Sequence, residues 1–321
     1  MAARCVQIVV DGPDEAGQSL TGRILVEADR AERANVAIAL QVQGSGALLR
    51  LTEDETMQTI ADVELAPGVT DTRFQLAPQS RGWSHEHGRY GCRWQLEARV
   101  GQDATTLPLQ QRALASDLVL SCGEPQLELV ATRDFGPVVM RGLAAVALLG
   151  IATLFVTVWR VIPVVMTAGM MLLLMLPSFA TALSVLRTQG RVGTPQFELV
   201  RENGLRASVW LHPRAAVASV ELVLVIAWTE EHKPANARAS VARRTHLVRE
   251  VSSAATQREP GVWTALLDVP DPSSVPPRLT WTGRGLKDIL RASWDLETRM
   301  RMNDGSLETV RAPVSVNLRT G

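Results

Sequence analysis

Trp94-Gln95-Leu96-Glu97-Ala98-Arg99 is repeated later in the chain as Trp294-Asp295-Leu296-Glu297-Thr298-Arg299. In an extended strand Trp94, Leu96 and Ala98 fall on one face and Gln95, Glu97 and Arg99 on the other, so the motif describes a strand with one packed and one polar side. The match extends upstream: Gly68-Val69 before Phe74-Gln75-Leu76-Ala77-Pro78 parallels Gly261-Val262 before Leu266-Leu267-Asp268-Val269-Pro270. The same order of glycine turn, strand, proline loop and closing strand occurs twice, the signature of an internal repeat.

Working outward, apolar residues alternate or form short β-branched runs bounded by Gly, Pro and Asp, which predicts antiparallel strands. In the first half these cover 6–10, 22–27, 36–42, 57–65, 73–76 and 91–100. In the second they cover 205–211, 217–228, 246–251, 262–269, 292–302 and 314–318. The expected fold class is mainly β: two antiparallel β-sandwiches of arrestin-like or immunoglobulin-like type. Eight of the fourteen aromatic residues are Trp, the expected anchors of two cores.

Between the halves, residues 142–186 hold a single charge, Arg160. One helix of that length would reach about 67 Å, more than twice the roughly 30 Å of hydrocarbon in a bilayer. The run therefore predicts a transmembrane helical hairpin with spans at 142–159 and 161–186, turning at Trp159-Arg160 and Pro163. Gly142, Val146, Gly150, Thr153 and Thr157 form a small, polar stripe suited to close helix packing. Arg133, Arg141, Arg187 and Arg191 flank the run. The positive-inside rule then implies a multi-pass protein of a bacterial inner membrane with both soluble domains cytoplasmic. No apolar segment of signal-peptide length follows Met1. The expected domains are 1–133, 134–190 for the hairpin, and 191–321. Pro125-Gln126-Leu127-Glu128-Leu129-Val130 and Pro195-Gln196-Phe197-Glu198-Leu199-Val200 bracket the run. That echo leaves open a second reading, in which the hairpin is inserted into the first loop of the second domain.

Thirty-three basic and thirty-three acidic residues cancel, which argues against nucleic-acid binding through phosphate neutralisation. Cys5, Cys92 and Cys122 lack metal-ligand spacing and read as reduced packing residues.

Within this frame the first half resembles the arrestin-like superfamily. The resembling residues are Gly17-Gln18-Ser19-Leu20-Thr21-Gly22-Arg23-Ile24-Leu25-Val26, Phe74-Gln75-Leu76 with Pro78, and Tyr90 with Trp94-Gln95-Leu96-Glu97-Ala98-Arg99-Val100. The resemblance implies tandem β-sandwiches and a general adaptor role. A hairpin stands where relatives have a short linker, and no tail for coat-protein or ligase motifs follows, so receptor binding is not implied.

Trp83, His85, Glu86 and His87 form the candidate contact loop. Two histidines at i and i+2 fall short of the three or four ligands of a zinc site, so a solvated or contact loop is expected, with no metal and no cofactor. Glu230 to Lys233 and Arg243 to His246 read as a solvated hairpin end, Gly44-Ser45-Gly46 as a turn, and Thr282 to Leu290 as a short helix after a glycine turn. No nucleophile elbow is recognisable. The sequence thus predicts a non-enzymatic, membrane-anchored scaffold with protein partners and the lipid bilayer as its contacts. The alternatives are a channel-like subunit forming a homo-oligomer through its hairpin, or a metal-dependent enzyme at His85 and His87.

Overall fold

The structure is a computed structural model that describes residues 3–12, 18–77, 82–123, 190–193, 195–201, 204–213, 216–232, 242–283 and 288–319. It is mainly β. The N-terminal half holds β1 (Arg4–Val10), β2 (Leu20–Ala28), β3 (Glu32–Ser45), β4 (Arg50–Leu65), β5 (Gly68–Leu76), β6 (His85–His87), β7 (Tyr90–Val100) and β8 (Asp103–Leu109). These form a sheet in the order β1-β2-β5 and a second in the order β4-β3-β7-β6, with β8 also on β7. In chain order there follow β9 (Leu118–Cys122), β10 (Gln196–Arg201), β11 (Leu205–Trp210), β12 (Val217–His232), β13 (Ala242–Ala254) and β14 (Thr256–Glu259). The last strands are β15 (Val262–Leu267), β16 (Leu279–Thr282), β17 (Ile289–Met302) and β18 (Leu307–Leu318). Their sheets run β10-β11-β15-β14 and β13-β12-β17-β18-β9, with β16 also on β17. All pairings are antiparallel.

The strand order is duplicated: β1-β2-β5 matches β10-β11-β15, and β4-β3-β7 matches β13-β12-β17. The repeated hexapeptides occupy equivalent places. Trp94 pairs with Val42 and Leu96 with Leu40, while Trp294 pairs with Ile226 and Leu296 with Leu224. Both tryptophans are fully buried. Gly68 and Gly261, at equivalent turns, both take positive φ (97° and 84°), a conformation glycine adopts without a Cβ clash. Each half buries its alternating apolar residues in its own core, one around Ile24, Leu40 and Trp94, the other around Leu205, Leu224 and Trp294.

β9 pairs with β18, so residues 118–122 already belong to a C-terminal sheet, upstream of the boundary drawn at 133. Arg201 in β10 donates to the Leu118 carbonyl at 2.6 Å, drawing β9 and β10 together. In chain order the apolar run thus falls between two strands of the C-terminal half. Arg191 fastens the chain just before β10: it pairs with Asp304 and lies 3.3 Å from Glu308, at the β17–β18 turn.

The expected placement in a bacterial inner membrane, with two spans and both domains cytoplasmic, is corrected. Among the described residues no helix is long and apolar enough to cross a membrane. Hydropathy measures transfer of a segment into hydrocarbon, whereas a span also demands a continuous helix of about 20 residues. The described helical residues are 190–192 and the 3-10 turns Ala115–Asp117 and Pro272–Ser274. The spans themselves, and the packing face Gly142, Val146, Gly150, Thr153 and Thr157, lie outside the described residues.

Two local readings also change. Gly44 and Ser45 end strand β3 instead of forming a turn. Thr282 and Ile289 are register partners in β16 and β17, and Gly283 N–H donates to the Asp288 carbonyl at 2.8 Å. Both ends of the segment expected as a helix are therefore held as paired strand, while residues 284–287 lie outside the described residues.

Candidate functional site

The residues singled out around His85 lie where the two halves meet. β6 is a short strand on β7, and it places His85 in the interior at 5 % exposure. Burial, and secondarily His87, push the His85 pKa down to about 4, because a charged imidazolium is poorly solvated there. Glu86 pairs with Arg93 on the surface. Trp83, just upstream, sits in the core of the C-terminal half, and its indole N–H donates to the Val275 carbonyl at 2.8 Å. The contact this loop makes is therefore with the other half of the same chain.

The exchange is reciprocal. Trp281 of β16 packs in the N-terminal core together with Trp228 and Leu290. A stack of rings crosses the joint: His246 lies 5.3 Å from His87 and 5.1 Å from Tyr90, Tyr90 6.1 Å from Trp228, and Trp228 5.8 Å from Trp281. Offset ring pairs at such spacing contribute about 0.5–1.5 kcal/mol each beyond area burial.

Gly44 and Gly46 make the approach feasible. A Cβ at Gly44 would lie 2.7 Å from Trp281 Cδ2, and one at Gly46 would lie 2.6 Å from Glu230 Oε1. Glu230, at 1 % exposure, accepts the backbone N–H groups of Leu48 and Leu49, each at 2.7 Å. Its other oxygen is buried without a hydrogen-bond partner among the described residues. The hairpin end read as solvated is in this part an interior anchor. A second contact, His232 Nδ1 to Asp288 Oδ1 at 2.9 Å, braces β12 against the start of β17.

One open cleft lies at the joint and another on the C-terminal half alone. The first, of about 320 Å3, lies between β4 and the C-terminal half, lined by Glu53, Glu55, Arg278, Trp281 and Asn317. The other, about 550 Å3, covers the outer face of the C-terminal sheet, with Arg243, Arg291, Asp295 and Arg311 on its lining. There Glu297 accepts Arg299 Nη2 at 2.9 Å and also pairs with Arg311, and in the N-terminal half Glu97 accepts Arg99 Nη2 at 2.6 Å. The repeated Glu and Arg pair is thus a bridge within one strand in both halves. Such a surface of fixed guanidinium groups is suited to carboxylates.

Among the described residues the two longest edge strands are β4 and β13. β4, of 16 residues, and β13, of 13, each end their sheet, and by the repeat they are equivalent. β4 carries five acids against one arginine, and β13 three arginines against one glutamate. Each also exposes a large apolar side chain, Met57 at 63 % and Leu247 at 51 %. A strand edge presents unpaired N–H and C=O groups to any extended partner.

The sequence missed Gly44, Gly46 and Glu230 as a unit because their contact joins residues nearly two hundred positions apart. Trp228 and Trp281 were legible only as core anchors. Among the described residues no group of three or more His, Cys, Asp or Glu is placed to hold a metal ion. No protein-family model matches the chain, and a comparison with curated proteins finds no match.

Proposed function

We propose that the chain is a non-enzymatic scaffold for protein partners, built from two arrestin-like β-sandwiches in tandem. The duplicated strand order and the separate core of each half support the sandwich reading. The observation that carries the scaffold reading is the pair of long, one-sided edge strands β4 and β13. Strand addition at such an edge supplies main-chain hydrogen bonds for affinity, with side-chain contacts setting specificity. The exchange of Trp83 and Trp281 across the joint holds both edges in one body, so two partners would be presented at a set separation.

The test is photo-cross-linking in cells expressing the full chain, with a photoreactive residue at Met57, at Leu247, or at Leu114 as an exposed control that lies on no strand. Protein adducts at either edge position and none at Leu114 support the scaffold. Equal adducts at all three positions, or none at the edges, overturn it.

A further inference from the structure

We propose that the chain associates with copies of itself head to tail, β4 of one copy adding alongside β13 of the next. The inference rests on the reading of the edges as binding surfaces and names the partner: a second copy of this chain.

Charge on an edge strand ordinarily guards against unwanted pairing, and either sign serves that purpose. Here the two equivalent strands carry opposite sign. β4 carries Glu53, Asp54, Glu55, Asp62 and Glu64, of which Glu53 and Glu55 line the cleft beside Arg278 and Glu64 pairs with Arg33. β13 carries Arg243, Arg244 and Arg249, of which Arg243 lies 3.4 Å from Glu231. Two β4 edges would meet acid to acid, and two β13 edges base to base. Like charges directly across a strand pair are unfavourable and opposite charges favourable, so the β4–β13 pairing is selected over both symmetric ones. Met57 and Leu247 add an exposed apolar residue near the middle of each strand, where cross-strand contact would cover them. Both strands are bulged, β4 at Glu55 and again at Ala61 and Asp62, where Asp62 takes φ 53°, and β13 at Val248. The regular runs between, 50–54 and 56–60 in β4 and 242–247 and 249–254 in β13, match the usual five or six residues of a paired strand.

Because the two surfaces are different and lie on one chain, the contact is heterologous. It leaves a free β4 at one end of the assembly and a free β13 at the other, so copies add until a ring closes or a filament grows. Screening by salt weakens the pairing.

Sedimentation velocity on the purified full chain tests this over a range of concentration and salt. The wild type is expected to sediment as a concentration-dependent series that shortens in high salt. Glu53→Lys with Glu64→Lys, and separately Arg243→Glu with Arg244→Glu, are each expected to abolish the series. Mixing the two charge-reversed chains is expected to restore it, because each reversed edge then meets its complement. Circular dichroism shows whether each variant keeps its β content. For one that does not, Met57→Lys replaces the β4 pair and Leu247→Asp the β13 pair. A wild type that is monomeric at all concentrations, association surviving in folded variants, or a mixture that stays dissociated overturns the proposal. Edge adducts with other proteins alongside a monomeric wild type leave the scaffold reading standing while removing self-association. No edge adducts of any kind removes both.

Discussion

The Leu49 backbone N–H donates to Glu230 Oε1 at 2.7 Å, linking the turn after β3 to the end of β12 across the joint between the halves. The Leu48 N–H makes the same bond to the same oxygen, so one buried carboxylate caps two successive amides. Charge-assisted bonds of this kind are about twice as strong as neutral ones, and removing the acceptor would leave both donors stranded.

Glu230→Ala is therefore expected to destabilise the chain by about 2–4 kcal/mol, read as a lower urea midpoint, since each buried unpaired donor costs about 1–3 kcal/mol. Glu230→Gln keeps an acceptor oxygen in place and is expected to lose less. Equal midpoints for wild type and Glu230→Ala would show that the joint does not depend on this carboxylate.

Gly44→Ala and Gly46→Ala test the same joint from the other side. Each added methyl meets an atom of the C-terminal half at under 3 Å. Overpacking of this kind costs about 1–3 kcal/mol. Gly305, with nothing within 4 Å of its Cβ position, is a poor control because its φ is positive, whereas Gly190 has both open space and an ordinary φ. Thermal melts of Gly44→Ala and Gly190→Ala should separate clearly, and coincident curves would remove the close-approach argument.

His85 makes stability depend on pH. Its folded pKa, about 4, lies below the ordinary value of 6.5, so between these the unfolded chain binds more protons than the folded one. Stability is then full above about pH 6.5 and declines as pH falls towards 4, by roughly 1–3 kcal/mol from this group. His85→Phe is expected to flatten the decline in urea titrations run from pH 7 to 4.5. An unchanged slope would assign the acid sensitivity to other groups.

Burial pushes the thiol of Cys5 up to about 11 and those of Cys92 and Cys122 up to about 12. Only the thiolate reacts, so iodoacetamide at pH 8 is expected to label none of the three appreciably in the folded chain and all of them in urea. Cys92, fully buried with Sγ 3.3 Å from the Trp83 carbonyl oxygen, should be the slowest. Rapid labelling of Cys92 without denaturant would mean that the joint around Trp83 opens.

Much of the strand framework was legible because two-residue alternation is a local property. The strands expected at 22–27, 91–100 and 205–211 lie at β2, β7 and β11 with ends shifted by one or two residues. β6, β8, β9, β14 and β16 escaped, since they are short and are placed by the neighbour they pair with. The candidate contact loop was noticed for its histidines, and its decisive member is Trp83, whose acceptor Val275 is far away in sequence.

By itself the sequence determined the mainly β character, the internal repeat and the burial of Trp94 and Trp294, because side-chain alternation and a repeated motif are written along the chain. Only the tertiary structure decided that Gly44 and Gly46 leave room for Trp281 and Glu230, that β9 joins the sheet of β18, and that two edges of opposite charge stand on one body. The physical reason is common to all three. Close packing, strand pairing and edge exposure are relations between residues distant in sequence, and neither partner carries a local mark of the other.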